Sequence, residues 1–338
     1  MLKSCKKIAF ALSMFGVVFY SASWAADTSY LGMSLPATFQ AFSSTSPWNV
    51  PIPSNPTVDP HSTDMIAKLK STAGTLTGNY TKWTMPIHVI DSKKAPKVKI
   101  KTTKQLSTEI DPNQDMTVEN IPMPQKVWAD PSSDGHMVLV DPAVRTAWEF
   151  SRFQKNSNGT YQASGVVIWN LDGPGWRQAF MGDLWWTYGA IASGLPIIGG
   201  LIRPEEINAG VIKHALLCGM PTILKTSISG TKYELCSPPA ARTDGTGTDY
   251  KSIPMGALLQ LDPTLNLDAL GLSPATKIIA KAMQQYGMYV GISSSTFNIY
   301  FQNLGSTGGA WKTYNFFPDL SKIPVDKFRV ISCNRAIK

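Results

Sequence analysis

Residues 134–171 read DGHMVLVDPAVRTAWEFSRFQKNSNGTYQASGVVIWNL, and this stretch decides the fold class. Apolar side chains recur in it with a period of two, the repeat of a β-strand rather than a helix. HMVLVD follows a turn over 130–135, and TAWEFSRF follows Asp141-Pro142. TYQASGVVIWNL follows Asn158-Gly159, a dipeptide suited to the positive φ angles of a tight hairpin turn. On extended backbone His136, Val138 and Val140 share one face, and Met137, Leu139 and Asp141 share the other. Trp148 and Phe150 point one way and Glu149 the other.

Outward from this core the same pattern recurs. PIHVI (86–90), KVKIK (97–101), VIKHALL (211–217), MYVGI (288–292) and FNIYF (297–301) are further short strands. Helical signals are fewer. Ser62 can cap a helix over 63–72 with Met65, Ile66 and Leu69 on one face. RPEEINAG (203–210) makes a turn or two, with Pro204 at an early helical position. Ser273-Pro274 opens a helix to about Tyr286, whose stripe is Ile278, Ile279, Ala282, Met283 and Tyr286, and Gly287 ends it. Many short strands with two or three decorating helices predict a mainly β fold, an antiparallel β-sandwich or jelly roll.

The composition agrees. The 338 residues include 43% apolar and 16% charged side chains, with 10 Trp, 11 Tyr and 13 Phe, which excludes a disordered chain. Twenty-six Gly and 24 Pro exclude a helical bundle. Lys3, Lys6 and Lys7 precede the apolar run 8–20, and Ser23-Trp24-Ala25 offers small residues for cleavage, so 1–25 reads as a secretory signal peptide. No later stretch reaches the roughly 18 apolar residues of a membrane span. The organisation expected is a signal peptide over 1–25, an extended Pro/Ser-rich lead-in over 26–60, and one β-rich domain over 61–338, secreted or periplasmic. Cleavage leaves 28 basic against 23 acidic residues, lowering the formal charge from +8 to +5. The densest basic run, KKAPKVKIKTTK (93–104), reads as a solvated edge strand guarded by lysines, with an anionic surface as the alternative ligand. No nucleic-acid-binding module is present.

Export favours disulfides. Cys218 and Cys236 flank a segment that reads as a hairpin turning near Ser229-Gly230, and their pairing leaves Cys333 over. Pairing through Cys333 stays open.

Several stretches together resemble an uncharacterised family of secreted, mostly bacterial β-rich proteins. They are DGHMVLVD (134–141), AWEF (147–150), ASGLPIIGGLIRPEEINAGVIKHAL (192–216), SPPA (237–240), IPMGALLQLDP (253–263) and AMQQYGMYV (282–290), with SPWNVPI (46–52) as the lead-in. The resemblance implies relatedness and export and brings no activity with it. The chain departs from the family pattern at Gly135, where an Arg is typical, and at 291–293, where GIS replaces an acidic turn.

The chemistry must be sought in the ionisable residues. His136, Glu149, Glu206 and His214 are the catalytic candidates. Glycoside hydrolysis needs two carboxylates in different environments, and Glu149, Glu206, Asp141 and Asp172 form the pool. In that version Glu206 or Glu149 is the acid and the other carboxylate the nucleophile or base. A β-eliminating polysaccharide lyase needs an imidazole or phenol beside a cation, which His214, His136, Tyr188, Arg177 and Arg203 supply, with His214 as the base. Trp169, Trp176, Trp185 and Trp186 crowd a Gly-rich region, and indole faces stack on sugar rings. Trp176, Trp185, Trp186, Asp141 and Arg203 are therefore the substrate-binding candidates. The chain lacks H-E-x-x-H, C-x-x-C and G-x-S-x-G, so no metal or cofactor is expected, and DGTGTD (244–249) reads as a turn. The expected function is a carbohydrate-active protein, a glycosidase or lyase acting on a polysaccharide or oligosaccharide, without stable membrane insertion. The alternative is a non-catalytic glycan- or surface-binding module or a structural secreted factor.

Overall fold

The computed structural model describes residues 27–102, 117–177, 189–225, 232, 234–305, 311 and 319–337. The hairpin turn expected near Ser229-Gly230 lies outside them, as do residues 1–26. The fold is mainly β with a few helices, arranged in layers. A five-stranded sheet has the order β1 (Tyr30–Gly32), β3 (Ile87–Ile90), β6 (Met137–Asp141), β7 (Thr146–Ser151) and β10 (Gly165–Asn170). A six-stranded sheet has the order β16 (Phe328–Ile331), β13 (Leu258–Leu261), β14 (Met288–Ser293), β11 (Leu216–Met220), β15 (Phe297–Tyr300) and β2 (Leu76–Asn79). A four-stranded sheet orders β5 (Thr117–Pro122), β4 (Lys97–Thr102), β9 (Tyr161–Ala163) and β8 (Gln154–Lys155).

Three apolar cores hold the layers together, and strand alternation assigns each side chain to one of them. On β6, Val138 and Val140 pack against the six-stranded sheet, while Met137 and Leu139 pack against the four-stranded one. On β11, Leu217 faces the five-stranded sheet, while Leu216, Cys218 and Met220 face the helices α1 (Ser62–Ala73) and α4 (Pro274–Gln285). The middle sheets are thus covered on both faces, which explains why nearly every residue of β6, β7 and β11 is buried.

The pairing is not antiparallel throughout. β6–β7 and β7–β10 are antiparallel, as the turn signals require, but β3–β6, β4–β9, β11–β14 and β2–β15 are parallel. Parallel neighbours need long crossovers, and the chain supplies one between β3 and β6 by visiting the four-stranded sheet on the way. β4 is not an edge strand: it lies between β5 and β9, and its exposed Lys97, Lys99 and Lys101 line the outer face while Val98 and Ile100 turn inward to the core.

Two local features differ from expectation or refine it. Ser62 begins α1 but does not cap it; its Oγ accepts the Val330 N–H at 2.9 Å, and His61 is the N-cap. Ser273 does cap α4, accepting the Thr276 N–H at 3.3 Å. The lead-in is an integral part of the core: Trp48 is fully buried and its Nε1 donates to the Gly175 carbonyl at 2.9 Å.

The disulfide also differs. Cys236 is bonded to Cys333, and Cys218 is buried and unpaired. The reason is a pairing remote in sequence. β12 (Glu234–Cys236) runs antiparallel to β17 (Arg335–Ile337), with Cys236 opposite Arg335, and this carries Cys333 to its partner. Cys218 instead points into the core beneath α4.

Candidate functional site

A cleft opens at one end of the junction between the five- and six-stranded sheets. It has two lobes, of about 350 and 310 Å³, which share Asp134, His136, Ile292 and Ser293. The first lobe adds Ser151, Arg152, Ser164, Arg242 and Asp244. The second adds Asn79, Trp83, Tyr300 and the Ser294, Ser295 and Thr296 turn.

The strand ends place these groups. Asp134 and His136 precede β6, Ser151 ends β7 and Ser164 precedes β10. Gly135 brings the first pair against the second: its φ is +47°, and an added Cβ would lie 3.0 Å from the Arg152 Cα. The resulting contact is closed by the Arg152 N–H donating to the Asp134 carbonyl at 2.6 Å and the Phe153 N–H to the Gly135 carbonyl at 3.0 Å. On the opposite wall a bulge slips the register of β14 against β11 between Cys218 and Gly219. The bulge turns Ile292 toward the inter-sheet core and the cleft instead of toward the helices.

His136 sits where the lobes meet. Its Nδ1 donates to the Phe150 carbonyl at 3.1 Å, since a carbonyl oxygen only accepts. That leaves Nε2, which makes no hydrogen bond among the described residues. Burial holds the imidazole below its ordinary pKa, against the Phe150 hydrogen bond and the nearby Asp134 and Asp130 carboxylates. Ser293 Oγ donates to Asp244 Oδ1 at 2.6 Å. Arg242 Nη2 donates to the Ile191 carbonyl at 2.8 Å. Trp83 is 50% exposed. Its loop is pinned by its own N–H donating to Asp130 Oδ1 at 3.2 Å and by Asn79 Nδ2 donating to its carbonyl at 2.9 Å.

The other described candidates from sequence do not join His136. Glu206 and His214 do meet, with His214 Nε2 3.0 Å from Glu206 Oε1, but in a different place. Arg203 is the N-cap of α3 (Pro204–Asn208); its backbone N–H donates to Glu206 Oε2 at 3.0 Å and its Nη2 to Oε1 at 2.7 Å. The guanidinium also donates to the Pro36 and Phe39 carbonyls. Burial raises the Glu206 pKa, but the His214 and Arg203 contacts outweigh it and hold the carboxyl below its ordinary value. With 2% of its surface exposed, Glu206 serves to tie the lead-in to α3. His214 precedes β11 rather than lying within it, because the Ala215 N–H donates to the Trp48 carbonyl and the strand starts at Leu216. The strand expected over 211–217 is therefore shorter at its start and leaves His214 outside it.

Glu149 is sealed between the sheets. Its Oε1 accepts the Ile198 N–H of α2 (Ile197–Gly200) at 2.8 Å, and its Oε2 accepts the Trp169 Nε1–H at 2.9 Å. Burial pushes its pKa up to about 7, against those donors and the Arg177 charge. Arg177 stacks on the Trp169 ring at 4.7 Å, so Trp169 is a core residue and not a platform for a ligand. Asp141 closes a strand-end turn, accepting from the Ser92 and Ala143 N–H groups at 2.8 and 2.9 Å. Asp172 pairs with Arg145 at 2.9 Å on the surface. Trp176 is half-buried and does not line the cleft; Trp185, Trp186 and Tyr188 lie outside the described residues.

Of the described candidates from sequence only His136 lines this cleft, and Asp134, Ser151, Arg152, Ser164, Trp83, Arg242, Asp244 and Ser293 line it without having been singled out. Trp83 carried a usable signal, an isolated indole in the polar run GNYTKWTMP (78–86). Among the described residues no three His, Cys, Asp or Glu side chains cluster as metal ligands, and no helix is long and apolar enough to cross a membrane. Comparison with protein-family models, with curated proteins and with solved structures finds no match to this chain.

Proposed function

We propose that this is an exported carbohydrate-active protein whose ligand, an oligosaccharide segment, lies along the two-lobed cleft. One observation carries this reading: the two lobes adjoin at Asp134, His136, Ile292 and Ser293, which line both, and they are lined with hydroxyl, amide and ionic groups and bear a half-exposed indole in the second lobe. Sugar rings present hydroxyls around the edge and C–H groups on the face. A trough of serines, carboxylates and guanidinium groups answers the edge, and Trp83 answers the face. The lobe volumes also suit the reading, since each falls in the range of a small-molecule site of roughly 300–1,000 Å³. Export rests on the basic and apolar pattern of 1–25.

Isothermal titration of the mature protein against neutral and acidic oligosaccharides tests the proposal. Trp83→Ala is expected to weaken the best ligand by about five- to thirtyfold, because a stacked ring contributes on the order of 1–2 kcal/mol. His214→Ala is expected to leave affinity unchanged, since His214 does not line the cleft. Unchanged affinity in Trp83→Ala, or a loss in folded His214→Ala, contradicts the placement.

A further inference from the structure

Resting on the reading of the cleft as a glycan site, we infer that its ligand is a uronic-acid glycan and that His136 is the base that cleaves it by β-elimination. The chain has four imidazoles, and three are committed elsewhere. His88 is fully buried between Tyr30 and Trp128, His61 packs on Tyr250, and His214 is held by Glu206. His136 alone lines the cleft, and it lines both lobes, so a chain spanning them crosses the imidazole. The Phe150 carbonyl fixes the hydrogen on Nδ1 and thereby leaves the lone pair on Nε2, the arrangement of a general base.

The cation needed by a uronate stands beside it. Arg152 lies in the first lobe, two residues from Phe150, and is exposed. Its guanidinium makes no ion pair or hydrogen bond among the described residues. A sugar carboxylate on Arg152 is a fork-to-fork match, and neutralising that carboxylate acidifies the adjacent C5–H. Of the two carboxylates that line this lobe, Asp134 lies beside His136 and Asp244 is engaged by the Ser293 hydroxyl.

The step balances without a co-reactant. His136 Nε2 takes the C5 proton, and the C5–H electron pair forms the C4=C5 double bond. The C4–O bond breaks, and its electron pair leaves with the glycosidic oxygen. That oxygen takes the proton back from the imidazolium, so His136 ends neutral. The products are one fragment with a new reducing end and a second fragment whose non-reducing end is an unsaturated uronate.

The test uses the mature protein with oligogalacturonate, oligoalginate and hyaluronan fragments, and with cello- and chito-oligosaccharides as neutral probes. Binding is read by calorimetry and the conjugated double bond by ultraviolet absorbance. The expected result is unsaturated product from one acidic series. His136→Gln is expected to lower turnover by about 10²–10⁴-fold, the usual contribution of a general base, with affinity kept within a few-fold. Arg152→Gln, an exposed change that leaves the packing intact, is expected to weaken the acidic ligand at least tenfold and neutral probes not at all. Acidic fragments that bind without forming unsaturated ends overturn this inference and leave the glycan reading standing. So does exclusive binding of neutral probes. Absence of any glycan binding overturns both.

Discussion

Breaking the Cys236–Cys333 bond by Cys333→Ala is the sharpest test of how the carboxy-terminal strand is held. The bond spans 97 residues of chain. In the chain-entropy model, closing a loop of that length removes about 16 cal/mol/K from the unfolded ensemble, which is about 5 kcal/mol at room temperature. The figure is an upper value, because the unfolded chain retains some compactness. The short β12–β17 ladder does not vanish with the bond. Arg335 still reaches Asp59 at 2.7 Å and Glu234 at 2.9 Å, and those ion pairs hold the strand while the rest is folded. The expected variant is therefore folded and less stable by about 3–5 kcal/mol. Cys218→Ala supplies the comparison. It removes one buried sulfur from the core beneath α4 and is expected to cost about 1 kcal/mol. Urea unfolding followed by tryptophan fluorescence measures both, in the presence and absence of reductant. Reductant is expected to destabilise the wild type and Cys218→Ala and to leave Cys333→Ala unchanged. The reasoning fails if Cys218→Ala abolishes the reductant effect and Cys333→Ala retains it, since that pattern belongs to a Cys218–Cys236 bond. Peptide mapping under non-reducing conditions identifies the bonded pair independently.

Two further outcomes follow from the buried acids. Glu149 has a folded pKa of about 7, above the roughly 4.3 of an unfolded glutamate, so its contribution is fully present below pH 4 and is lost as pH rises through 7; the change is about 4 kcal/mol. Urea titrations between pH 4 and 8 should show this slope in the wild type and a flatter one in Glu149→Gln, and an equal slope in both contradicts the burial argument. Glu206→Ala strands the Arg203 guanidinium without its carboxylate, with an expected loss of about 3–5 kcal/mol in urea unfolding and no change in ligand affinity under conditions where the variant is folded. A Glu206→Ala protein of wild-type stability would show that the Arg203 and His214 contacts hold nothing together.

The stretch 134–171 revealed its strands because each residue's neighbours in the ladder are local: β6–β7 and β7–β10 are hairpins closed by turns that the sequence spells out. The parallel pairs left no such mark. β3 and β6 are neighbours because the chain leaves for another layer between them, and no residue of either strand records that excursion. The same distance hid the disulfide, whose geometry depends on β12 meeting β17. The candidate acids show a second limit. Alternation separated Glu149 from Trp148 and Phe150 correctly, and in a sheet with one wet face this would have exposed the carboxylate. Here the middle sheet is covered on both sides, so both sets are buried, and Glu149 meets a backbone N–H and an indole N–H instead of a ligand.

His136 obeys the same alternation as Val138 and Val140, yet it reaches the cleft because it lies just outside β6, where the covering layer ends. Residue type does not decide which histidine borders the cleft: His136, 8% exposed, borders it from just ahead of β6, whereas His214, two residues ahead of β11, is held away from it by Glu206. His88, inside β3, is sealed and held at a pKa of about 4 by that burial. His136, at a strand mouth, keeps a free ring nitrogen toward solvent-sized space. The cleft groups not singled out from sequence lie at such places too. Ser151, Ser164 and Ser293 all stand at or beside strand ends, where periodicity stops and pattern reading loses its signal. A search for chemistry in a multilayer β protein is therefore best aimed at the one or two residues that flank each strand, since alternation inside the strand only chooses between two dry interiors.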